Sequence, residues 1–349
     1  MKIAVFGWYG HDNAGDERIK YCLSTFLKGL GGIDHINFYD LHAEAIKGAT
    51  SKFDDYNLVI IGGGGLILSR HNYHDFIMGI NTKVVTLGIS VETDLKGNPK
   101  KFAEALLEKS DAVFVRDKGS HEKLQSLKNS HKSKISSDLT FLLPFTPMLG
   151  TNRNQFGINL LPKPKDIKYS TLSNNLLSFL LGHLERFSLI NLLKVVSFEE
   201  LINVVKSKFT CLPIPMYCSP QQGAIPTYRK NDVNFLKEYF DDVPEIFSED
   251  LLDKCFALLS MRLHGAIFAV QKNIPIISFE YLPKNKNFMK EVGLQDCVID
   301  SSNPKDFLFL LDDLKKNDKI IQEKMASYTE KSSQMVRRDV AQTLNKLIG

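Results

Sequence analysis

Short apolar runs that end in glycine or in a charged residue, each followed by sequence of helical spacing, dominate the first half of the chain. Ile3-Ala4-Val5-Phe6 leads into Gly7, and Leu58-Val59-Ile60-Ile61 leads into four glycines. Val84 to Gly88 and Ala112 to Val115 have the same form. Unbroken apolar runs of this length suit strands buried on both faces, as in a parallel sheet. Helices are expected from about Asp16 to Lys28 and from Lys100 to Lys109. The rhythm is that of βαβ units, so a doubly wound sheet is predicted, with ligand-binding loops at the carboxyl ends of its strands.

Between Leu143 and Gln155 the pattern breaks at Pro144, Pro147 and Gly150, which marks a domain boundary. Phe156 to Leu160 then opens a second domain as a strand. Ser170 to Lys208 reads mostly as helix, Thr210 to Pro215 as a short strand, Leu251 to Leu259 as helix, Ile274 to Phe279 as a strand, and Phe307 onward as helix. The expected domains are 1–147 and 151–329, with a terminal helix over 330–349 that packs back on the first. The apolar positions between Ser173 and Val196 fit a core or dimer helix, or an amphipathic helix touching a membrane surface.

Composition narrows the function classes. The 349 residues are 43% hydrophobic and 24% charged, an ordinary globular balance long enough for two cores. A net charge of +4 is too small to argue for nucleic acid as partner, and it does not repel an anion. Cys22, Cys211, Cys218, Cys255 and Cys297 form no Cys-x-x-Cys pair, which speaks against zinc fingers and a disulfide framework and for a reducing compartment. The opening MKIAVFGWYG reads as a strand rather than a signal peptide, and no apolar run approaches the ~20 residues of a membrane span, so a cytoplasmic protein is expected.

Four loops carry chemistry. Gly7 to Glu17 (GWYGHDNAGDE) joins a strand to a helix; its glycines permit close backbone approach, and helix-start amides attract anions. It is neither a Walker loop nor a dinucleotide fingerprint, and Asp16 is either a helix cap or a functional carboxylate. Gly62 to Gly65 follows a strand directly, which suits either a ligand or a tight turn. Arg116-Asp117-Lys118-Gly119-Ser120 sets an arginine fork at a strand end, where it suits a phosphate or carboxylate, or else pairs with Asp117 to organise the loop. Asp138 ends the apparent next strand. In Met261-Arg262-Leu263-His264-Gly265 an extended segment would put Arg262 and His264 on one face, a cation beside an imidazole at a helix entrance. Lys284 follows another strand end. His71 and His74 stand at helical spacing without a third ligand nearby, so no metal site is expected.

In series these blocks resemble the polysaccharide pyruvyl transferases. The family's Gly-x-x-Gly and Asn-x-Gly-Asp-Glu are matched by Gly7, Gly10, Asn13, Gly15, Asp16 and Glu17. Its Gly-Gly-Gly strand end is matched by Leu58 to Gly64, and Arg-Asp-x-x-Ser by Arg116, Asp117 and Ser120. Arg-x-His is matched by Arg262 and His264, and Tyr-x-Pro-Lys by Tyr281, Pro283 and Lys284. Leu282 stands where the family usually has aspartate, and Lys163 to Lys208 matches no block.

The resemblance implies a GT-B-like fold, two Rossmann-like domains with parallel sheets facing across a cleft. It implies phosphoenolpyruvate as donor, with no cofactor, and a glycan acceptor, lipid-linked or nucleotide-linked in many members, that becomes a pyruvate ketal of a cell-surface polysaccharide. Arg116, Arg262, His264 and Lys284 are the implied donor site. Asn13, Gly15, Asp16, Gly63 and Gly64 are expected on the acceptor side. His264 is assigned as general acid, with Arg262 beside it, and Asp16 as base for the sugar hydroxyl. Two other classes stay open: a nucleotide-sugar glycosyltransferase on the same fold, and a non-catalytic binding relative.

Overall fold

The computed structural model describes residues 1–68, 73–147, 153–161, 163–164, 195–196, 198–218, 231–280, 282–299 and 304–348. The chain forms two α/β units, one of residues 1–146 with 325–349 and the other of residues 147–324.

The first unit holds six strands: β1 (Lys2–Gly7), β2 (His35–Asp40), β3 (Leu58–Ile67), β4 (Val84–Val91), β5 (Ser110–Val115) and β6 (Ser133–Ile135). All pair in parallel in the order β2-β1-β3-β4-β5-β6. The expected apolar runs form the central strands, because only residues buried on both faces fit there. β2 was not anticipated: it is an edge strand, half exposed, and its mixed composition (HINFYD) gives no apolar run. Phe6 anchors the core, stacked on Tyr39 and edge-on to Phe53 and Phe76. The long helix Asp318–Ile348 adds Val336, Val340 and Leu344 to the buried residues, and its Arg337 donates to the carbonyl of Leu142 at 2.7 Å.

The second unit contains β7 (Gln155–Asn159), a two-residue antiparallel pair β8 (Lys163–Pro164) and β9 (Val195–Val196), then β10 (Cys211–Pro213), β11 (Cys255–Ser260), β12 (Ile276–Phe279) and β13 (Val298–Ile299). The main sheet is parallel, ordered β10-β7-β11-β12-β13. Leu251 to Leu259, expected as helix, is instead the helix Glu249–Asp253 followed by β11. β11 lies between β7 and β12 and is buried along both faces, so its apolar run has no alternation to distinguish strand from helix. Most of the expected Ser170–Lys208 helix lies outside the described residues; Val195–Val196 within it is instead the strand β9, and its end is the helix Glu199–Lys208. The same holds for the amphipathic stretch before Val195, for His71 and for Tyr281.

The glycine run does not end β3. The strand continues through it to Ile67, with a register shift against β4 between Gly64 and Ile67. Gly63 and Gly64 have φ of +82° and +78°, which L side chains rarely adopt. A Cβ on Gly63 would lie 2.5 Å from Ile19 Cγ2, on Gly64 2.8 Å from Asp16 Oδ1, and on Gly65 2.0 Å from Glu92 Oε1. The run therefore clears space for a helix and two carboxylates. Alanine at Gly63 must displace Ile19 as well as hold a positive φ, so Gly63→Ala is expected to lower the unfolding free energy by about 3 kcal/mol. Gly10 has φ of +82° with open space around it, and Gly10→Ala should cost only about 1 kcal/mol, both variants being read by urea titration.

All five cysteines are free thiols. Burial pushes Cys22, Cys211 and Cys297 up to about 11 and Cys255 up to about 12. The unfolded chain then loses these protons first, so stability falls as pH rises above the ordinary thiol value of about 9. Thermal melts between pH 8 and pH 11 should show this fall, and substituting the four cysteines by alanine should reduce it, leaving the part due to Tyr9, Tyr39 and Tyr73, whose hydroxyls burial also pushes up.

Candidate functional site

In each unit the strand order reverses beside the first strand: between β1 and β3 in one, between β7 and β11 in the other. Such switch points open a crevice at the carboxyl ends of the strands, where open α/β sheets bind ligands.

At the second unit's switch point, Asn159 closes β7 and Ser260 closes β11. The Asn159 amide donates to the carbonyl of Ile214 at 3.0 Å and to Asp232 Oδ2 at 2.9 Å, and its Oδ1 accepts from Ser260 Oγ and from the Arg262 amide, both at 3.1 Å. Asp232 is fully buried and also accepts from the amides of Met216 and Tyr217. Its Oδ1 receives Arg262 Nη2 at 2.5 Å and Nε at 3.2 Å, while the guanidinium carbon sits 5.4 Å from the centre of the Tyr217 ring. This fork is oriented from both sides, which a flexible surface arginine is not.

Arg262 is the N-cap of the helix Leu263–Gln271, with extended backbone, and His264 lies inside the first turn. The two side chains are thus not alternate residues of one extended segment, as expected; they straddle a helix start. Gly265 makes that possible, because a Cβ there would stand 2.1 Å from Ser260 Oγ. The helix can therefore start against the end of β11, and its first amides, which lack acceptors within the helix, lie next to Arg262. His264 also packs at 5.9 Å against Phe268. Lys284 is half-buried in the first turn of the helix Pro283–Val292, and its neighbour Asn285 donates to the carbonyl of Met261 at 2.8 Å. The second unit thus links the strand end that bears Arg262 to the helix that bears Lys284.

In the first unit Arg116 is 7% exposed. Its guanidinium donates to Asp138 at 3.1 Å and to Glu92 at 3.3 Å. Burial disfavours its charge, but the carboxylates of Asp138, Glu92 and Asp117 outweigh that and hold it above its ordinary value. Asp117 is not its direct ion-pair partner: that carboxylate caps the helix Lys118–Leu124 through the amide and hydroxyl of Ser120, whose Oγ accepts in turn from the Val91 amide. Asp138 likewise caps the turn Leu139–Leu142 through Thr140. An anion reaching Arg116 would have to displace a carboxylate.

The opening loop is held rigidly. Tyr9 is buried, packs over Gly7 and donates to the carbonyl of Gly62 at 2.7 Å; burial first, then Asp16, Glu17 and Asp138, push its hydroxyl well above the usual range. Asn13, not Asp16, caps the helix Ala14–Gly29, accepting from the Gly15 amide at 3.1 Å. Asp16 is buried with its carboxylate against Gly64, and Ile19 fills the space beside Gly63. Among the described residues no cluster of histidine, cysteine, aspartate and glutamate is suited to a metal ion, and no helix is long and apolar enough to cross a membrane.

Asn159, Ser260, Asp232 and Glu92 were missed from sequence. A polar residue closing an otherwise buried strand marks Asn159 and Ser260; nothing near Asp232 signals a partner thirty positions away.

A sequence model of the family described as polysaccharide pyruvyl transferase matches residues 13–283. No curated protein sequence matches the chain. Among solved structures, a glycosyltransferase from Rickettsia africae ESF-5 superposes with a TM-score of 0.55 at 12% identity, covering 99% of this chain and 98% of the other. A UDP-N-acetylglucosamine 2-epimerase gives 0.54 at 12% identity, over 98% and 95%. The co-structure of S. aureus MnaA with UDP gives 0.51 at 11%, over 93% and 90%. At such identities the likeness is one of fold, the GT-B-like class of two parallel-sheet α/β domains.

Removing the Asp232 carboxylate takes an acceptor from a half-buried arginine and from several buried donors, so Asp232→Ala should cost about 3–5 kcal/mol in chemical denaturation. Adding Arg262→Met to that variant should recover part of the loss, which identifies the ion pair as its source.

Proposed function

We propose that this chain, which belongs to the polysaccharide pyruvyl transferase family, takes its pyruvyl unit from phosphoenolpyruvate and sets it on two hydroxyls of a glycan as a ketal. The observation that carries the proposal is the family match over residues 13–283, a span that contains Arg262 and His264, the pair held at the start of the Leu263–Gln271 helix.

The donor is a small polyanion, and several cations and backbone amides are needed to hold it in a partly desolvated site. Arg262, the first amides of its helix and Lys284 form that set in the second unit. We read Arg116 as the post that fixes Glu92, Asp138 and the neighbouring loops of the first unit rather than as a cation that meets the donor, since its charge is already matched. His264 is the general acid. A proton added to the methylene carbon leaves C2 electron-poor; one glycan hydroxyl bonds to C2, the C2–O bond to phosphate breaks with its electron pair going to phosphate, and the second hydroxyl closes the ketal. One hydroxyl proton replaces the proton given to the methylene, and the other leaves with phosphate. The acceptor belongs to the loop Gly7 to Glu17, with Asn13 and Gly15 at the helix start, and a lipid-linked glycan at the cytoplasmic face of a membrane fits a donor drawn from central metabolism.

Phosphate release from phosphoenolpyruvate in the presence of defined oligosaccharides, with products weighed by mass spectrometry, tests the proposal. Arg262→Ala and His264→Ala should each slow release at least ~10²-fold, and Arg262→Lys should lose most of the activity because an ammonium cannot reproduce the fork held by Asp232. Full activity in both alanine variants would sink the site assignment, and a product heavier by a sugar rather than by a pyruvate ketal would sink the reaction.

A further inference from the structure

At the carboxyl ends of β1 and β2, apart from Asn13 and Gly15, stands a further group of side chains. Trp8 follows β1, His11 lies three residues further along the loop, and Asp40 ends β2. The ring of His11 stacks face to face on the indole of Trp8, with centroids 4.0 Å apart and planes at 17°. Its Nε2 is hydrogen-bonded to Asp40 Oδ2. Asp40 is itself fixed, because its other oxygen accepts from the Ala43 amide at 3.0 Å as the N-cap of the helix Leu41–Lys47. The ring of His42 also lies near Trp8, with centroids 6.4 Å apart.

The backbone is arranged to deliver His11 to this place. Gly10 has φ of +82° and Asp12, a non-glycine residue, has φ of +50°. Left-handed residues on either side fold the loop back toward β2, and the Gly10 amide is tied down by Glu17 Oε1 at 2.5 Å. A non-glycine residue held in this region is a small store of strain of the kind found at functional loops.

The chemistry follows from the ring. A carboxylate that accepts from Nε2–H selects the tautomer whose lone pair is on Nδ1, the arrangement of a hydrolytic triad with the roles of the two ring nitrogens exchanged. No described residue hydrogen-bonds Nδ1, and the His11 side chain remains 29% exposed. By contrast Asp16, the carboxylate expected to act as base, is buried against Gly64.

We propose that His11, oriented by Asp40 and braced on Trp8, is the general base that takes the proton from the attacking glycan hydroxyl. The proposal rests on the pyruvyl transfer described above. As the O–H bond breaks, its electron pair becomes the new bond to C2 of the protonated enolpyruvyl group and the proton passes to Nδ1. The imidazolium is stabilised by Asp40 until the proton returns to solvent.

The test uses the full-length protein with phosphoenolpyruvate and an oligosaccharide acceptor. His11→Ala should lower kcat about 10²- to 10³-fold while leaving phosphoenolpyruvate affinity, read by titration calorimetry, unchanged, and imidazole added to the buffer should restore a measurable part of the rate. Asp40→Asn keeps a competent helix cap but reverses the hydrogen bond to Nε2, so it should lower kcat at least about 10-fold without a change in melting temperature. An active wild type with His11→Ala at full rate, or a slow His11→Ala that imidazole does not help and that binds the donor equally poorly, overturns the general base and leaves the transferase standing. A wild type that releases no phosphate with any acceptor overturns both.

Discussion

A charge that sits where parallel strands run out is surrounded by protein on most sides, and it must meet its counter-charge there or not be charged at all. Both units are organised around that constraint. In the first, Arg116 at the end of β5 is gripped by Asp138 and Glu92. In the second, Arg262 beyond β11 is gripped by Asp232, and Asp232 by Asn159 and two backbone amides. The neighbouring loops follow from these pairs. Asp117, Asp138 and Asp232 stand at the starts of helical turns, and glycines are required wherever a carboxylate or helix must press against a strand. Lys272 obeys the same rule away from any site: at 1% exposure it is paired with Asp253 and Glu249.

The two arginines nevertheless differ in what they can offer a ligand. Arg116 sits among the carboxylates of Asp138, Glu92 and Asp117, which compete with any anion for its guanidinium. Arg262 is paired with Asp232 beside an aromatic face and at the positive end of a helix, where the local field favours anions. Similar sequence features, a basic residue just after a buried strand, therefore serve different ends.

This is also where sequence reading runs out. Central strands β1, β3, β4 and β5 were legible because burial on both faces writes an unbroken apolar run. β2 was not, since an edge strand needs no such run. β11 reads as helix in the sequence because a continuous apolar stretch has no periodicity to tell the two apart. The glycine run was legible as a place of close approach, but its neighbours turned out to be Asp16, Ile19 and Glu92 of the same unit. Arg262 and His264 were found through their motif, whereas Asp232 and Asn159 were invisible: their role exists only once separate strands are laid side by side. The His11–Asp40 pair escapes for the same reason, since its members are twenty-nine positions apart, one in the loop after β1 and the other at the end of the adjacent β2.

The first unit is discontinuous in the chain: Val336, Val340 and Leu344 complete its buried surface, yet they follow the whole of the second unit. During synthesis the ribosome delivers β1 to β6 long before the helix that covers part of them. The nascent amino-terminal half must therefore wait with apolar surface uncovered while another domain is made, a period in which chaperones would find something to hold.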